Sequence, residues 1–227
     1  MRFVKKAMLF GVALVAGLAV LGAGAWIYVV STVEQPKYST VLADGAIEVR
    51  DYPALVVAEV TRRGDRGSAV RAGFSPLAGY IFARNRPGDS VSMTAPVTQT
   101  QTPQADQKIA MTAPVTQTPA QPNDEDPANA IWLIRFIMPS QYTLATLPRA
   151  AGDDVRLLDV PASRRAAIRF SGVATDALID ANERALRAWL SARAITILGA
   201  PTYAYYNDPF TPGFLRRNEV LFDVTMP

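Results

Sequence analysis

One order of segments, strand–helix–strand–strand, occurs twice along the chain, and this repetition constrains the fold most. Apolar, β-prone segments predict strands at 54–61 and 130–139 in the first half, and alternating segments predict strands at 165–171 and 219–225 in the second. A helical pattern follows the first strand of each half. Two βαββ halves bury their apolar faces best as an antiparallel sheet with its helices on one side, so the sequence predicts an α+β fold.

Two helices are predicted, one in each half. The second covers 175–193 and has a good N-cap residue in Thr175 or Asp176. The first covers about 68–84 and contains Pro76. Because proline interrupts a helix, either this helix kinks at Pro76 or a new helix begins beside it.

An eight-residue sequence, MTAPVTQT, occurs at Met93–Thr100 and again at Met111–Thr118, 18 residues later. Both copies are rich in β-prone residues, and a polar loop at 101–107 joins them. Two copies are too few for a solenoid. The short separation predicts that they pair as neighbouring antiparallel strands.

The sequence of the N-terminal region predicts a membrane anchor. Ala7–Val30 is a run of 24 uncharged, mostly apolar residues, long enough to cross a bilayer. Arg2, Lys5 and Lys6 precede it, and basic residues favour the cytoplasmic side. The sequence therefore predicts a single-pass membrane protein whose domain lies on the non-cytoplasmic side.

A cleaved signal peptide is the alternative, because Ala23–Ala25 resembles a cleavage site that would end the peptide at Ala25. The apolar run continues for five residues beyond that site, which favours the anchor. The predicted organisation is a signal anchor at 1–30, a linker at 31–37 and one domain at 38–227.

Composition excludes several function classes. The chain has no cysteine and no histidine, so disulfides, thiol catalysis, histidine-dependent triads and the usual zinc sites are excluded. Its 23 basic residues exceed its 20 acidic ones only through the three at the N-terminus, so nucleic-acid binding has no electrostatic support. No nucleophile elbow or phosphate loop is present, and the sequence predicts a protein that is not an enzyme.

Six motifs, in order along the domain, resemble those of the SOUL, or haem-binding protein, family. They are Ile47–Ala54, Phe74–Asn85, Lys108–Val115 (KIAMTAPV), Phe170–Gly172, Tyr205–Phe210 and Arg216–Val220 (RRNEV). The resemblance implies a distorted antiparallel β-barrel of two βαββ repeats with two flanking helices. It is similar to gyrase-inhibitor-like effector-binding domains, which hold small ligands. Family members bind haem or other tetrapyrroles, often in an apolar groove beside the first long helix.

That groove defines the candidate ligand-binding residues, which are Val70, Phe74, Leu77, Tyr80, Ile81, Arg84, Met111 and Glu219. The apolar members lie on one stripe of the first helix, which either lines the groove or packs onto the sheet. Tyr80 and Met111 are the kinds of residue that ligate haem iron weakly, and both also suit core packing. Arg84 suits a propionate. Glu219 could meet a cationic ligand, as a pocket acid does in related barrels, or pair with Arg216 or Arg217.

The function expected from these observations is a membrane-tethered, non-catalytic domain for haem, another tetrapyrrole or a similar small apolar ligand. Without histidine or cysteine, any haem or porphyrin would be held by apolar burial and arginine–propionate contacts, and no metal site is expected. One alternative is a membrane-associated interaction or scaffolding domain without haem. Another is a hydrolase that uses Glu219 and Tyr205 as acid and base.

Overall fold

The computed structural model describes residues 33–84, 86–102, 130–208 and 210–226. The predicted membrane span at Ala7–Val30 and the second MTAPVTQT copy, with Met111, lie outside the described residues. Within the described part of the chain, no helix has the length and apolar character needed to cross a membrane.

The described residues form ten strands and two α-helices. The strands are β1 (Ser39–Asp44), β2 (Ile47–Tyr52), β3 (Leu55–Arg63), β4 (Val97–Thr102), β5 (Ile131–Ile137), β6 (Arg156–Val160), β7 (Ser163–Phe170), β8 (Thr196–Ile197), β9 (Thr202–Tyr205) and β10 (Asn218–Thr225). The helices are α1 (Arg66–Ile81) and α2 (Asp176–Ser191), and a short 3₁₀ helix covers Gly213–Leu215.

The strands form one antiparallel sheet in the order β1-β2-β7-β10-β9-β4-β5-β3-β6, with β8 paired to β10. The predicted repeats are confirmed as β3-α1-β4-β5 and β7-α2-β9-β10, and they meet where β4 pairs with β9. The predicted distorted β-barrel is confirmed only in part, as an antiparallel α+β sheet that is not closed. Among the described strands, β1 pairs only with β2 and β6 only with β3, so the sheet stays open at both ends.

Both helices pack on the same face of the sheet, as predicted. A single hydrophobic cluster joins Leu77 and Ile81 of α1, Ile179 and Leu186 of α2, and Ile134 of β5. The opposite face carries a smaller cluster with short side chains, made of Ala167, Ala204 and Leu221. The two faces therefore differ in character, and each is a separate place to look for a site.

The helix ends follow the capping rules. The Asp65 carboxylate accepts a hydrogen bond from the Ser68 backbone N–H at 2.9 Å, and α1 then continues through Pro76 to Ile81. The alternative in which a new helix begins beside Pro76 is therefore wrong. At α2 the Thr175 hydroxyl accepts from the Leu178 N–H at 3.3 Å, which confirms one of the two predicted caps.

The first MTAPVTQT copy supplies the start of β4, which is paired along both edges. Val97–Thr100 of this copy lie in β4, which continues to Thr102 and pairs with β5 on one side. Val97–Thr100 pair with β9 on the other side. Both edges of this strand are therefore occupied over Val97–Thr100, and the second copy, its predicted partner, lies outside the described residues.

The contact between α1 and the sheet depends on Gly73. A Cβ added there would lie 2.9 Å from Cγ1 of Ile134, which is fully buried and has no space to move. We expect Gly73→Ala to lower the free energy of unfolding by about 1–2 kcal/mol in urea, because overpacking outweighs the gain in helix propensity. Gly67→Ala is the control, since its Cβ would meet only the ends of side chains, Nη1 of Arg71 at 3.3 Å and Oδ1 of Asp65 at 3.4 Å. A Gly73→Ala variant as stable as the Gly67→Ala variant would contradict this account of the packing.

Candidate functional site

The apolar stripe of α1 divides into a buried part and an exposed part. Leu77, Tyr80 and Ile81 are at most 1% exposed and belong to the core. Val70 is partly buried, and Phe74 is 41% exposed. The C-terminal half of the stripe therefore packs on the sheet and does not line a groove. Within the stripe, only Val70 and Phe74 reach the surface.

The phenol of Tyr80 is already engaged. Its hydroxyl donates to the Pro148 carbonyl at 2.8 Å, and the Arg86 guanidinium lies 4.9 Å from the centre of its ring. Burial raises the pKa of Tyr80 above its usual value, so the phenolate that would bind ferric iron is disfavoured. Tyr80 acts as a core residue in this arrangement.

An exposed aromatic surface remains on α1 and its C-terminal cap. Phe74 packs edge-on against Phe136, with ring centres 5.3 Å apart, and keeps its outer edge in solvent. Phe82 at the C-cap is 42% exposed, and the guanidinium of exposed Arg84 lies 5.3 Å from its ring centre. We call Val70, Phe74, Phe82 and Arg84 the helix patch. It offers apolar area beside a cation, a combination that suits a flat ligand with carboxylates.

Glu219 lies on the opposite face of the sheet, at the centre of a buried ion cluster. Its carboxylate accepts hydrogen bonds from Nη1 and Nη2 of Arg50, at 2.9 and 3.1 Å. It accepts another from Nη2 of Arg217 at 2.7 Å. The Tyr206 hydroxyl donates to it at 2.8 Å. The Glu219 side chain is 0% exposed and that of Arg50 is 2% exposed. The expected pairing with Arg217 is present, and Arg50 is a further partner that the sequence did not indicate.

The protonation states in this cluster follow from its geometry. Burial alone would raise the pKa of Glu219, but the hydrogen bonds and charges of Arg50 and Arg217 outweigh burial and hold that pKa below its usual value. Burial, and then the Glu219 charge, raise the pKa of Tyr206. At neutral pH Glu219 is therefore a carboxylate paired with two guanidinium groups and a neutral phenol, and Arg50 also donates to the Glu48 carboxylate at 2.6 Å.

The acid–base pair proposed for a hydrolase does not form. Asn218 is opposite Tyr205 in the ladder, whereas Glu219 is opposite Ala204, so Tyr205 and Glu219 point to opposite faces of the sheet. The Tyr205 hydroxyl donates to Gln99 at 3.3 Å, and burial raises its pKa to about 12. These two residues therefore cannot act on one substrate.

The family follows from comparison with known proteins. The model of the SOUL heme-binding protein family matches residues 33–107 and 100–223, which together span the domain. The chain belongs to the SOUL family. No curated protein matches the sequence.

Solved structures resemble this SOUL domain in fold. The C-terminal domain of EcmrR is 12% identical, with 84% of this chain and 99% of that chain covered and a TM-score of 0.52. A hydrolase from Listeria innocua is 12% identical, with 82% and 94% covered and a TM-score of 0.54. At this identity the likeness concerns the fold alone.

The surface of the SOUL domain offers groups that fit some parts of haem. The helix patch provides apolar area and a guanidinium, and both fit a porphyrin with propionates. Within the described ranges, no group of three acidic, histidine or cysteine side chains is placed to hold a metal ion. Met93 is partly buried against the core, and Met111 lies outside the described residues. The helix patch therefore fits the macrocycle of haem and its carboxylates.

Proposed function

We propose that this protein is a membrane-tethered, non-catalytic SOUL domain that binds haem or a related tetrapyrrole at the helix patch. The observation that carries the proposal is the pair of half-exposed aromatic side chains, Phe74 and Phe82, with Arg84 beside Phe82. Membership of a heme-binding family supports the class of ligand.

Apolar burial supplies the main attraction in this proposal. A porphyrin face that covers Phe74, Phe82 and the exposed part of Val70 gains about 25 cal/mol for each Å² of apolar area removed from water. Arg84 pairs with one propionate through its planar guanidinium. When bound, haem would supply its own iron chemistry, and this chain's residues would hold and orient the macrocycle.

The tether is the predicted anchor at Ala7–Val30, with the SOUL domain on the non-cytoplasmic side. Protease added outside intact spheroplasts should digest the domain. Complete protection of the domain under these conditions would contradict this topology.

A hemin titration of the purified full-length protein tests the binding function. We expect a saturable Soret shift above that of a protein-free detergent blank, because hemin also partitions into micelles. Absorbance that rises without saturation, equal to the blank, would refute tetrapyrrole binding and favour the scaffolding alternative.

A further inference from the structure

The connection between β9 and β10 carries the most exposed apolar side chains among the described residues. Phe210 is 90% exposed, Phe214 is 78% exposed and Leu215 is 54% exposed. Val173, which is 55% exposed, lies next to Gly213 of this connection, since a Cβ on Gly213 would be 3.3 Å from its Cγ2. We call these four residues the apolar tip. A cluster of this kind on the surface marks an interaction site.

The apolar tip stands on a well-bonded loop. The Asp208 carboxylate accepts hydrogen bonds from the backbone N–H groups of Phe210 and Thr211, at 2.7 and 3.0 Å. The Gly172 N–H donates to the Gly213 carbonyl at 3.0 Å and joins the loop to the end of β7. The loop backbone is therefore held in place while its aromatic side chains point to water, so their exposure is a property of an ordered conformation.

The base of this loop contacts the start of the domain. Nη1 of Arg217 donates to the Gln35 side chain at 3.1 Å. Only five peptide links separate Gln35 from Val30, where the predicted membrane span ends, and these can extend to at most about 18 Å. The headgroup layer is itself roughly 6 Å thick on each side of a bilayer. Covalent connection therefore keeps the loop base close to the lipid surface in a tethered molecule.

The charges near the apolar tip are compatible with lipid phosphates. Arg169 at the end of β7 is exposed, and Arg216, half-buried, donates through Nε to the Thr211 carbonyl at 2.7 Å. The neighbouring acid Asp208 is turned inward onto the loop backbone. Apolar side chains flanked by arginine are the composition of segments that lie in a membrane interface.

We infer that the apolar tip inserts into the interfacial region of the bilayer that carries the anchor, so that the SOUL domain is held at the lipid surface in a fixed orientation. The inference rests on the tether in the proposed function. It assigns a second, lipid-facing contact to a part of the fold that lies outside the helix patch.

Site-directed spin labelling of the full-length protein tests this contact. The chain has no cysteine, so Phe214→Cys gives a single labelling site. Leu198→Cys is the matched control, because Leu198 is a 53% exposed apolar residue just before β9, whereas the apolar tip follows β9. In phosphatidylcholine–phosphatidylglycerol vesicles, collisions with the water-soluble nickel reagent should fall several-fold and those with oxygen should rise at position 214, with neither change at position 198.

The other outcomes separate the possible failures. If the vesicles float with the protein but the label at 214 meets the nickel reagent as often as the label at 198, the lipid contact is wrong and the tether stands. If the protein does not float, both the tether and the lipid contact are wrong. If oxygen and the nickel reagent are both excluded at 214, a protein surface such as a second copy covers the tip, and the lipid contact is again wrong.

Discussion

Glu219→Ala should lower the free energy of unfolding by about 3–5 kcal/mol, a large fraction of the stability of a typical domain. The reason is that the substitution leaves Arg50, only 2% exposed, without its buried carboxylate, and the partner that remains at 2.6 Å, Glu48, is 31% exposed. Tyr206 loses the acceptor of its hydroxyl in the same change. Urea unfolding followed by tryptophan fluorescence measures the effect.

Glu59→Ala is the matched control for this prediction. The Glu59 side chain is almost as buried, at 4% exposed, and it pairs with Arg135 at 2.7 Å and Arg156 at 2.8 Å. Those arginines are 26% and 65% exposed, so water can solvate them when the carboxylate is removed. We expect a loss of about 1 kcal/mol. Equal losses for the two variants would contradict the view that an unsolvated Arg50 determines the cost.

Phe74→Asp should weaken tetrapyrrole binding by at least about 100-fold. A phenyl group buried under the macrocycle contributes about 1.5–3 kcal/mol, or roughly 10- to 150-fold in Kd. The introduced carboxylate must also be desolvated and would repel the propionates. Because Phe74 is 41% exposed, the variant should still fold, which circular dichroism can verify.

Leu198→Asp provides the control for this variant. Leu198 is 53% exposed and lies in the connection between β8 and β9, outside the helix patch. A carboxylate there should leave the affinity unchanged. If a folded Phe74→Asp variant still bound the tetrapyrrole, the binding site would have to lie elsewhere than on α1.

The sequence predicted the repeated elements well, because their patterns are local. A β-prone apolar run places β3, and alternation places β10, within two residues of their observed ends, and the Thr175 cap with apolar spacing defines α2. Short strands such as β6 and β9 were not delimited, since four or five residues give too little periodicity. Closure of the sheet depends on how the terminal strands β1 and β6 meet, which no local pattern encodes.

The candidate site was less predictable than the fold. The stripe on α1 has the same helical spacing whether it faces the sheet or a groove, and only the packing places Leu77 inside and Phe74 at the surface. The pair of Arg50 and Glu219 joins residues 169 positions apart. A charged residue in a strand ordinarily indicates the solvent face, so Arg50 gave no sign that it is buried. Arg217, two residues from Glu219, was within reach of local reasoning.

We propose that this SOUL domain binds a tetrapyrrole through apolar area and arginine, without an iron ligand from the protein. The most direct test of this proposal compares the Kd of hemin with that of iron-free protoporphyrin for the full-length protein in one detergent. Because Tyr80 is buried and bonded to Pro148, and histidine and cysteine are absent, we predict that the two affinities agree within about threefold. Hemin bound at least about tenfold more tightly, a difference of about 1.4 kcal/mol, would mean that the protein ligates the iron and would contradict the account.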